Sequence, residues 1–431
     1  TTIAIINACS HPPVSIVINR PKAVQATFII HELYDKYCTF FVFYLKRTAD
    51  QRFDCPGKGD KMLYFDFAAT SFPKPKTVLH ACKTAMETMG NPGRGAYGLS
   101  VCALGMLFEA RTAAAALINA EDPMHIVFAQ NATMALNEAI AQIDGEIVTT
   151  AMEHNSVLRP CHARGGVRVV PAPGGRLRAE DVIDAVGEQT AAVIMTHASN
   201  VTGEIYDVEK VGAFCRDRGI YFIVDAAQTA GCVPVDVQKM KADMLAFSGH
   251  KGTFGPTGTG ILYVASRVHK VRPLLSGGTG SQSYELHQPD TFPDVLEAGT
   301  QNVHGITGLK AGIEYVLEAG VENICAHDQA LAALFIREVS AIDGAVIYRR
   351  DCRRTGTVPV NFDGVSADDL CEALAERGIC VRAGAHCAPL AHRSLGTSQT
   401  GVVRFSFGWT TSEADVLEGV RILKELLGTQ A

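Results

Sequence analysis

Short apolar runs alternate with helical patterns through most of the chain after Met62. The apolar runs predict five buried strands: His125–Ala129, Ile147–Thr150, Ala192–Thr196, Tyr221–Val224 and Met244–Phe247. Apolar residues recur at helical spacing in four other segments, Met134–Gln142, Ala179–Val186, Val208–Arg218 and Val303–Ala319. Strands that are apolar throughout, with helices between them, are typical of a parallel sheet covered on both faces. The pattern therefore predicts an α/β fold.

The pattern changes near residue 320. Beyond it come two longer helices and two short strands, predicted at Glu322–Ile342, Ala367–Arg377, Val358–Phe362 and Val402–Phe407. We expect a large domain over residues 62–320, with a mainly parallel sheet, and a smaller α+β domain over residues 321–431 that closes over it. The first residues after Met62 are expected to pack with the smaller domain.

Residues 1–61 lack this regularity. They carry a cluster of aromatic residues around Phe40 and no sustained helical period. A segment of this length with so little pattern buries a poor core. We expect an N-terminal extension of unknown role, or a segment foreign to the native protein, with Met62 as the natural start and with activity retained when residues 1–61 are deleted.

Composition and charge narrow the class of protein. The chain has 431 residues and a formal net charge of −6, so it has no basic surplus to bind nucleic acid. The longest apolar run early in the chain, Thr39–Leu45, is far shorter than the roughly 20 residues that span a bilayer. Its 13 cysteines are irregularly spaced and include no Cys-x-x-Cys. We expect a cytoplasmic protein with reduced thiols and no membrane partner.

Polar residues follow the predicted strands where a parallel sheet binds its ligands. Lys251 follows one strand, where it is either a solvated surface charge, as most lysines are, or a partly buried amine that is a nucleophile toward aldehydes. The neighbouring glycines at 249, 252 and 255 are expected to leave room for a ligand. Asp225 ends another strand, where it either pairs with a cation such as a protonated pyridine nitrogen or caps the next helix.

Two further turns carry polar groups. Gln130–Thr133 leads into a predicted helix, where backbone N–H groups and a hydroxyl either bind a phosphate or only cap the helix. His154 follows the strand Ile147–Thr150 and either stacks on a planar cofactor and moves a proton or is simply solvated. Because these sites follow different strands of one sheet, we expect them to form a single site.

From Met62 onward the chain resembles the pyridoxal-phosphate (PLP) enzymes of aminotransferase class V, and among them the cysteine desulfurase and selenocysteine lyase group. The resemblance lies in nine blocks in the family's order: Tyr64–Pro73, Asn91–Arg94, Met152–Ser156, His197–Gly203, Val224–Gln228, Ser248–Lys251, Glu297–Thr300, Arg382–Cys387 and Val403–Gly408. It implies the fold type I of PLP-dependent transferases. Phe67 and Tyr97 depart from the family's usual residues near the substrate.

The resemblance also implies roles for individual residues. Lys251 would bind PLP covalently, Asp225 would pair with the ring nitrogen, and Gln228 would bond the ring hydroxyl. His154 would stack on the ring and assist proton transfer. The phosphate and the rest of the cofactor would be held by Thr133, Ala132, Asn200, Ser248 and His250. Thr300 would reach the phosphate of a neighbouring subunit, which implies a homodimer.

Cys387 and Arg404 bear on the reaction. Arg404 resembles the arginine that clamps the substrate carboxylate, and Asn91 falls among the substrate-binding positions. Cys387 resembles the desulfurase nucleophile on a short, ordered loop, where Arg382 and His386 are expected to favour its thiolate. The resemblance implies conversion of L-cysteine to alanine, with a persulfide on Cys387 collected by an acceptor protein or a reductant. The alternatives are a selenocysteine lyase acting on L-selenocysteine and a class V aminotransferase.

Overall fold

The structure is a computed structural model that describes residues 2–4, 15–17, 62–93 and 95–428. The chain divides into two units, Thr1–Lys61 and Met62–Ala431. In the first unit, strand β1 (Thr2–Ala4) pairs antiparallel with β2 (Ser15–Val17). The aromatic cluster around Phe40 lies outside the described residues, and the prediction for residues 1–61 stays a prediction.

The second unit alternates strands and helices as the apolar pattern predicts. Its strands are β3 (Leu63–Tyr64), β4 (Ile126–Ala129), β5 (Glu146–Thr150), β6 (Val167–Val170), β7 (Thr190–Thr196), β8 (Tyr221–Asp225), β9 (Met244–Ser248), β10 (Gly260–Val264), β11 (Ala345–Ile347), β12 (Thr357–Phe362), β13 (Ile379–Cys380) and β14 (Val403–Ser406). Its α-helices are α1 (Lys76–Thr88), α2 (Gly98–Ile118), α3 (Ala132–Ala141), α4 (Asn155–Arg164), α5 (Ala179–Asp184), α6 (Val208–Arg218), α7 (Val303–Ala319), α8 (Val321–Val339), α9 (Ala367–Glu376), α10 (Pro389–Leu395) and α11 (Glu413–Leu426).

Seven strands form the central sheet in the order β4-β10-β9-β8-β7-β5-β6. The pairs among β9, β8, β7, β5 and β6 are parallel, whereas β10 runs antiparallel to both of its neighbours. All five predicted strands belong to this sheet, so the α/β prediction is confirmed. The sequence pattern missed the edge strand β6 and the reversed strand β10.

Two smaller sheets lie in the C-terminal part, in the order β11-β12-β14 and as the pair β13-β3. Leu63 and Phe65 pack in one hydrophobic core with Phe335 on α8, Val360 on β12 and Phe405 on β14. The residues that follow Met62 therefore fold with segments nearly 300 residues further along the chain. The division into domains at residue 320 stays a prediction.

Helix α2 is long and apolar enough, by length and composition alone, to cross a membrane. Half of its most apolar window is buried within the fold. Ala103, Leu107 and Ala114 belong to the same hydrophobic core as Ile306 and Ile313 of α7. A core helix of a folded unit meets the same criterion, so the buried half of α2 accounts for part of its apolar composition.

Candidate active site

Lys251 lies three residues beyond the end of β9, at the carboxyl edge of the sheet. It is partly buried and lines a small cavity together with Phe67, Gln228 and Asp328. Burial lowers the pKa of its amine to about 8, although the nearby Asp225 carboxylate acts to raise it. A larger fraction of this amine is therefore unprotonated at neutral pH than in an ordinary lysine.

Asp225 is the last residue of β8 and is only 4% exposed. Its Oδ1 accepts a hydrogen bond of 2.9 Å from the backbone N–H of Ala227. Burial raises the pKa of its carboxyl, whereas Lys251 acts to lower it. Among the described residues no salt bridge is made to this carboxyl, so a cationic ring nitrogen would find a buried acceptor there. Gln228 donates its side-chain amide to the backbone oxygen of Ala68 at 3.0 Å.

The N-terminus of α3 lies beside the end of β9. Asn131 caps this helix by accepting the N–H of Met134 at 3.0 Å. The N–H of Ala132 donates to Ser248 Oγ at 3.1 Å. Thr133 Oγ1 lies 2.7 Å from Ser156 Oγ, which brings the start of α4 to the same place. Hydroxyl and backbone donors at a helix N-terminus suit an anion such as a phosphate.

His250 is held by a segment that the sequence reasoning did not assign to the site. Its Nδ1 lies 3.1 Å from Thr70 Oγ1, and its backbone oxygen accepts a hydrogen bond of 2.9 Å from Lys74 Nζ. Burial, with Lys251 and Lys74 nearby, lowers the pKa of His250 to about 4. Thr70 falls within the block Tyr64–Pro73 and Lys74 directly follows it. The family resemblance of that block was therefore the one sign in the sequence that this segment belongs to the site.

His154 caps helix α4 with its imidazole ring. Its Nδ1 accepts the N–H of Ser156 at 3.0 Å, so Nε2 carries the proton of the neutral ring. Burial, followed by Lys251 and Arg159, lowers the pKa of this ring to about 4. At neutral pH His154 is therefore an uncharged ring, the form suited to stacking on a planar ligand.

The glycines near Lys251 lie where other parts of the protein approach too closely for a side chain. A Cβ on Gly252 would lie 2.5 Å from the backbone oxygen of Ala230, and one on Gly255 would lie 2.8 Å from that of Gly249. At Gly249 the space is taken by the side chains of Thr259 and Leu309. The expectation that these glycines make room for a ligand is wrong, because other atoms of the protein occupy that space.

Cys387 is exposed on the turn between β13 and α10. Its φ is 56° and that of His386 is 48°, so both residues adopt the left-handed conformation that non-glycine residues rarely take. Two hydrogen bonds of 2.7 Å hold this turn: Asn155 N–H donates to Cys387 O, and Asn200 Nδ2 donates to His386 O. Asn200, predicted at the cofactor, thus holds the cysteine loop.

The expected cationic neighbours of Cys387 are otherwise engaged. Arg382 donates through Nε and Nη2 to Asp66 Oδ2 at 3.1 and 3.0 Å. Burial lowers the pKa of His386 well below its ordinary value, so its ring is neutral. Neither side chain is therefore an unpaired cation beside Cys387, and the structure gives no support to the prediction that they favour its thiolate.

Arg404 is 3% exposed and also bonds Asp66. Its Nη2 donates to Asp66 Oδ1 at 2.8 Å and its Nη1 to Asn200 O at 2.9 Å. Its Nε is buried without a partner among the described residues. The guanidinium thus keeps one buried donor for a further acceptor, while Asp66, which sequence reasoning missed, joins the two arginines.

Asn91 and Thr300 lie away from the Lys251 cavity. Both are exposed, and both line a groove of about 940 Å³ next to Phe108 on α2. The structure does not bring either residue to Lys251 within one chain. The role of Thr300 toward a neighbouring subunit stays a prediction. Arg94, in the same block as Asn91, lies outside the described residues.

The residues around Lys251 fit PLP by their chemistry. An amine with a lowered pKa would hold the aldehyde carbon, and the buried Asp225 carboxyl would accept a ring cation. The N-terminus of α3, with the hydroxyls of Thr133 and Ser248, would receive the phosphate.

Comparison with known proteins gives the same assignment. The family model for aminotransferase class V matches residues 63–418. A probable cysteine desulfurase of Methanothermobacter thermautotrophicus is 38% identical over 401 residues, covering 89% of this chain and 98% of that protein. The cysteine desulfurase CsdA of Escherichia coli is 31% identical over 385 residues, covering 85% and 94%. The apo structure of a cysteine desulfurase from Thermococcus onnurineus shares 32% identity with a TM-score of 0.80, covering 85% and 95%.

The chain therefore belongs to the aminotransferase class V family. Within that family it stands in the cysteine desulfurase group, and it is a PLP-dependent enzyme with the predicted fold type I.

Proposed function

We propose that this enzyme converts L-cysteine to L-alanine and leaves the sulfur as a persulfide on Cys387. The observation that carries this proposal is the clamped loop, which holds an exposed thiol on a left-handed turn bonded by Asn155 and Asn200. A buried structural cysteine would have neither the exposure nor the left-handed backbone.

Lys251, Asp225, Gln228 and His154 would hold the cofactor ring. The N-terminal turn of α3, through Ala132 and Thr133, would hold the phosphate together with Ser248 and His250. Asn200 would contribute from the loop side, and Thr300 would serve the neighbouring subunit. Bound PLP would supply an electron sink that makes the α-proton of the substrate acidic and lets its C–S bond break.

The protein side chains would then perform the remaining tasks. Arg404 would orient the substrate carboxylate through its unpartnered Nε. The assignment of Asn91 to the substrate stays a prediction, because Asn91 lies away from Lys251 within one chain. Lys251 Nζ would remove the α-proton, since its lowered pKa provides free amine. The Cys387 thiolate would attack the substrate sulfur, so that an S–S bond forms as the substrate C–S bond breaks. Alanine leaves after its β-carbon is protonated and a proton is returned to its α-carbon from Lys251, and an acceptor protein or a reductant removes the outer sulfur of the persulfide.

A homodimer is part of this proposal. Leu99, Val101, Leu104 and Phe108 are large apolar residues on α2 that are each more than half exposed in the single chain. They continue into the groove that contains Thr300. An exposed apolar surface of this kind is typical of a subunit interface. Light scattering of the holoenzyme should give twice the chain mass of 46.1 kDa, and we propose that this dimer acts in the cytoplasm.

The decisive experiment is anaerobic turnover of L-cysteine by the PLP-loaded enzyme, measured as alanine and sulfide. We expect Cys387→Ala to lose nearly all activity, whereas Cys102→Ala, at another exposed cysteine, keeps it. The same variants are assayed with L-selenocysteine and with an amino-acid and keto-acid pair. Full alanine production by Cys387→Ala would contradict the persulfide, and faster turnover of selenocysteine or of the keto-acid pair would favour the lyase or the aminotransferase.

A further inference from the structure

His392 is a buried histidine of α10, five residues after Cys387, that has no part in the proposed reaction. It is 1% exposed. Its Nδ1 lies 2.8 Å from Thr397 Oγ1, and its backbone oxygen accepts the N–H of Thr397 at 2.9 Å. Its other ring nitrogen, Nε2, is buried and has no partner among the described residues.

His386, directly before Cys387, has a matching unpartnered nitrogen. Its Nε2 lies 3.2 Å from the backbone oxygen of Arg382. A carbonyl only accepts hydrogen bonds, so Nε2 carries the ring proton. Because the ring is neutral, Nδ1 holds a lone pair and acts as an acceptor. This Nδ1 is also buried without a partner in the described part of the chain.

The two rings stack on each other, with centroids 5.8 Å apart and planes inclined by 14°. No direct hydrogen bond joins them in the structure. Leaving a buried polar atom unpaired costs about 1–3 kcal/mol, and a phenylalanine at position 392 would stack without that cost. Two such atoms on neighbouring rings therefore indicate a polar link between them.

A single water molecule meets the requirement, because it can donate to His386 Nδ1 and either donate to or accept from His392 Nε2. A metal ion is a poorer occupant, since the described residues contain no group of three His, Cys, Asp or Glu side chains able to hold one. We propose that a buried water bridges His392 and His386, and that His392 is through this bridge a positioning residue for Cys387.

The water bridge would help to hold the turn at His386 and Cys387, which has an unfavourable backbone conformation. His386 and Cys387 both have positive φ, which costs a non-glycine residue roughly 1 kcal/mol or more. Their carbonyls are bonded by Asn200 and Asn155, whereas the His386 ring is held by one bond, from Nε2 to Arg382 O. A second bond, from Nδ1 through the water to His392, would fix the ring next to the nucleophile at both of its nitrogens. The water bridge itself does not depend on the proposed function, whereas its expected effect on turnover does.

The first test needs no variant. A high-resolution crystal structure of the holoenzyme should show one water within hydrogen-bond distance of both His392 Nε2 and His386 Nδ1. Direct contact of the rings, or a site filled by a side chain, would overturn the proposal.

The second test compares His392→Phe with His392→Gln, because phenylalanine keeps a ring without nitrogen and glutamine keeps a polar end. In the holoenzyme, amide hydrogen exchange at residues 384–388 should be severalfold faster in His392→Phe and near normal in His392→Gln. The Asn155 amide is a reporter on another element, since it donates to Cys387 O. His125→Phe is the matched control. His125 directly precedes β4, and its ring also stacks on a neighbour, Phe292, so this change should leave exchange at residues 384–388 unaltered.

Kinetics supply a readout that general destabilisation would not reproduce. We expect kcat for L-cysteine to fall about tenfold in His392→Phe with little change in KM, and to recover in His392→Gln. Equal defects in both variants, or unchanged exchange in His392→Phe, would overturn the bridge. If Cys387→Ala retains turnover, the proposed function fails, but the exchange experiment still decides the role of His392.

Discussion

Lys251 and Cys387 lie on two regions that are built differently. Lys251 follows a strand in the middle of the sheet, and the turn around it is packed so closely that several positions admit only glycine. Cys387 lies on an exposed turn in a left-handed conformation, held from outside by single hydrogen bonds. Burial sets the properties of the first region, whereas a few contacts determine the geometry of the second. We therefore expect large, chemical effects from changes at the first region. At the second we expect smaller, graded effects from changes to the contacts that hold the turn, as distinct from loss of the Cys387 thiol itself.

The largest effect is expected at Lys251 itself. Lys251→Ala should reduce turnover of L-cysteine by about 10³-fold or more, because it removes both the cofactor attachment and the proposed base. The protein should also lose the visible absorbance of covalently bound PLP. Lys74→Ala is the matched control, since burial lowers the pKa of Lys74 to about 8 as well. An absorbance band that persists in Lys251→Ala and disappears in Lys74→Ala would contradict the assignment.

Asp66 joins Arg382 and the buried Arg404, so its loss should affect stability. Asp66→Asn leaves the buried Arg404 without its carboxylate partner. Breaking a buried ion pair on one side is expected to lower the free energy of unfolding by about 3 kcal/mol. Urea unfolding of the variant checks this. Glu87→Gln, in an exposed pair with Lys83, should change the free energy of unfolding by no more than about 0.5 kcal/mol. Equal effects of the two substitutions would contradict the contribution of the buried pair.

The pH at which the Lys251 amine loses its proton distinguishes a buried amine from an ordinary exposed lysine. Its pKa is lowered to about 8, so the free amine is lost as the pH falls through that value. In protein freed of PLP, reductive methylation of Lys251 should be half-maximal near pH 8. About 200-fold more free amine should be present at pH 7 than in an ordinary lysine with a pKa of about 10.4. Exposed Lys83, methylated in the same samples, is the residue for comparison. A midpoint above pH 10 at Lys251 would show that burial does not control the amine.

The same contrast explains what could be predicted from the sequence. The strands β7, β8 and β9 are apolar throughout, so both their existence and the polar residues at their ends were visible as local patterns. The reversed direction of β10 was not visible, because an apolar run does not encode which way its strand is laid into a sheet. Asp66 was missed because its partner Arg404 is 338 residues away, and nothing in the local pattern records that contact.

Arg404 and Asn200 show a different limit. The resemblance to class V enzymes gave them roles toward ligands, but it carried no information on how this chain pairs them when it folds. In the structure Arg404 donates to the backbone oxygen of Asn200, and Asn200 in turn donates to the loop before Cys387. Their predicted ligand contacts stay predictions. The observed bonds identify a further property, which is that the carboxylate-clamp candidate and the cysteine loop share one chain of hydrogen bonds.

That shared chain leads to the smallest of the expected effects. Asn200→Ala removes the bond to His386 O, one of the two that hold the turn, while Asn155 still bonds Cys387 O. One neutral hydrogen bond contributes about 1 kcal/mol, so kcat should fall by roughly tenfold or less. Asn200→Asp is the informative partner, because a carboxylate cannot donate to the carbonyl and should be at least as impaired. If Asn200→Ala instead matched the loss in Lys251→Ala, Asn200 would act on the cofactor rather than through the loop, and the contrast between the two regions would not hold at this residue.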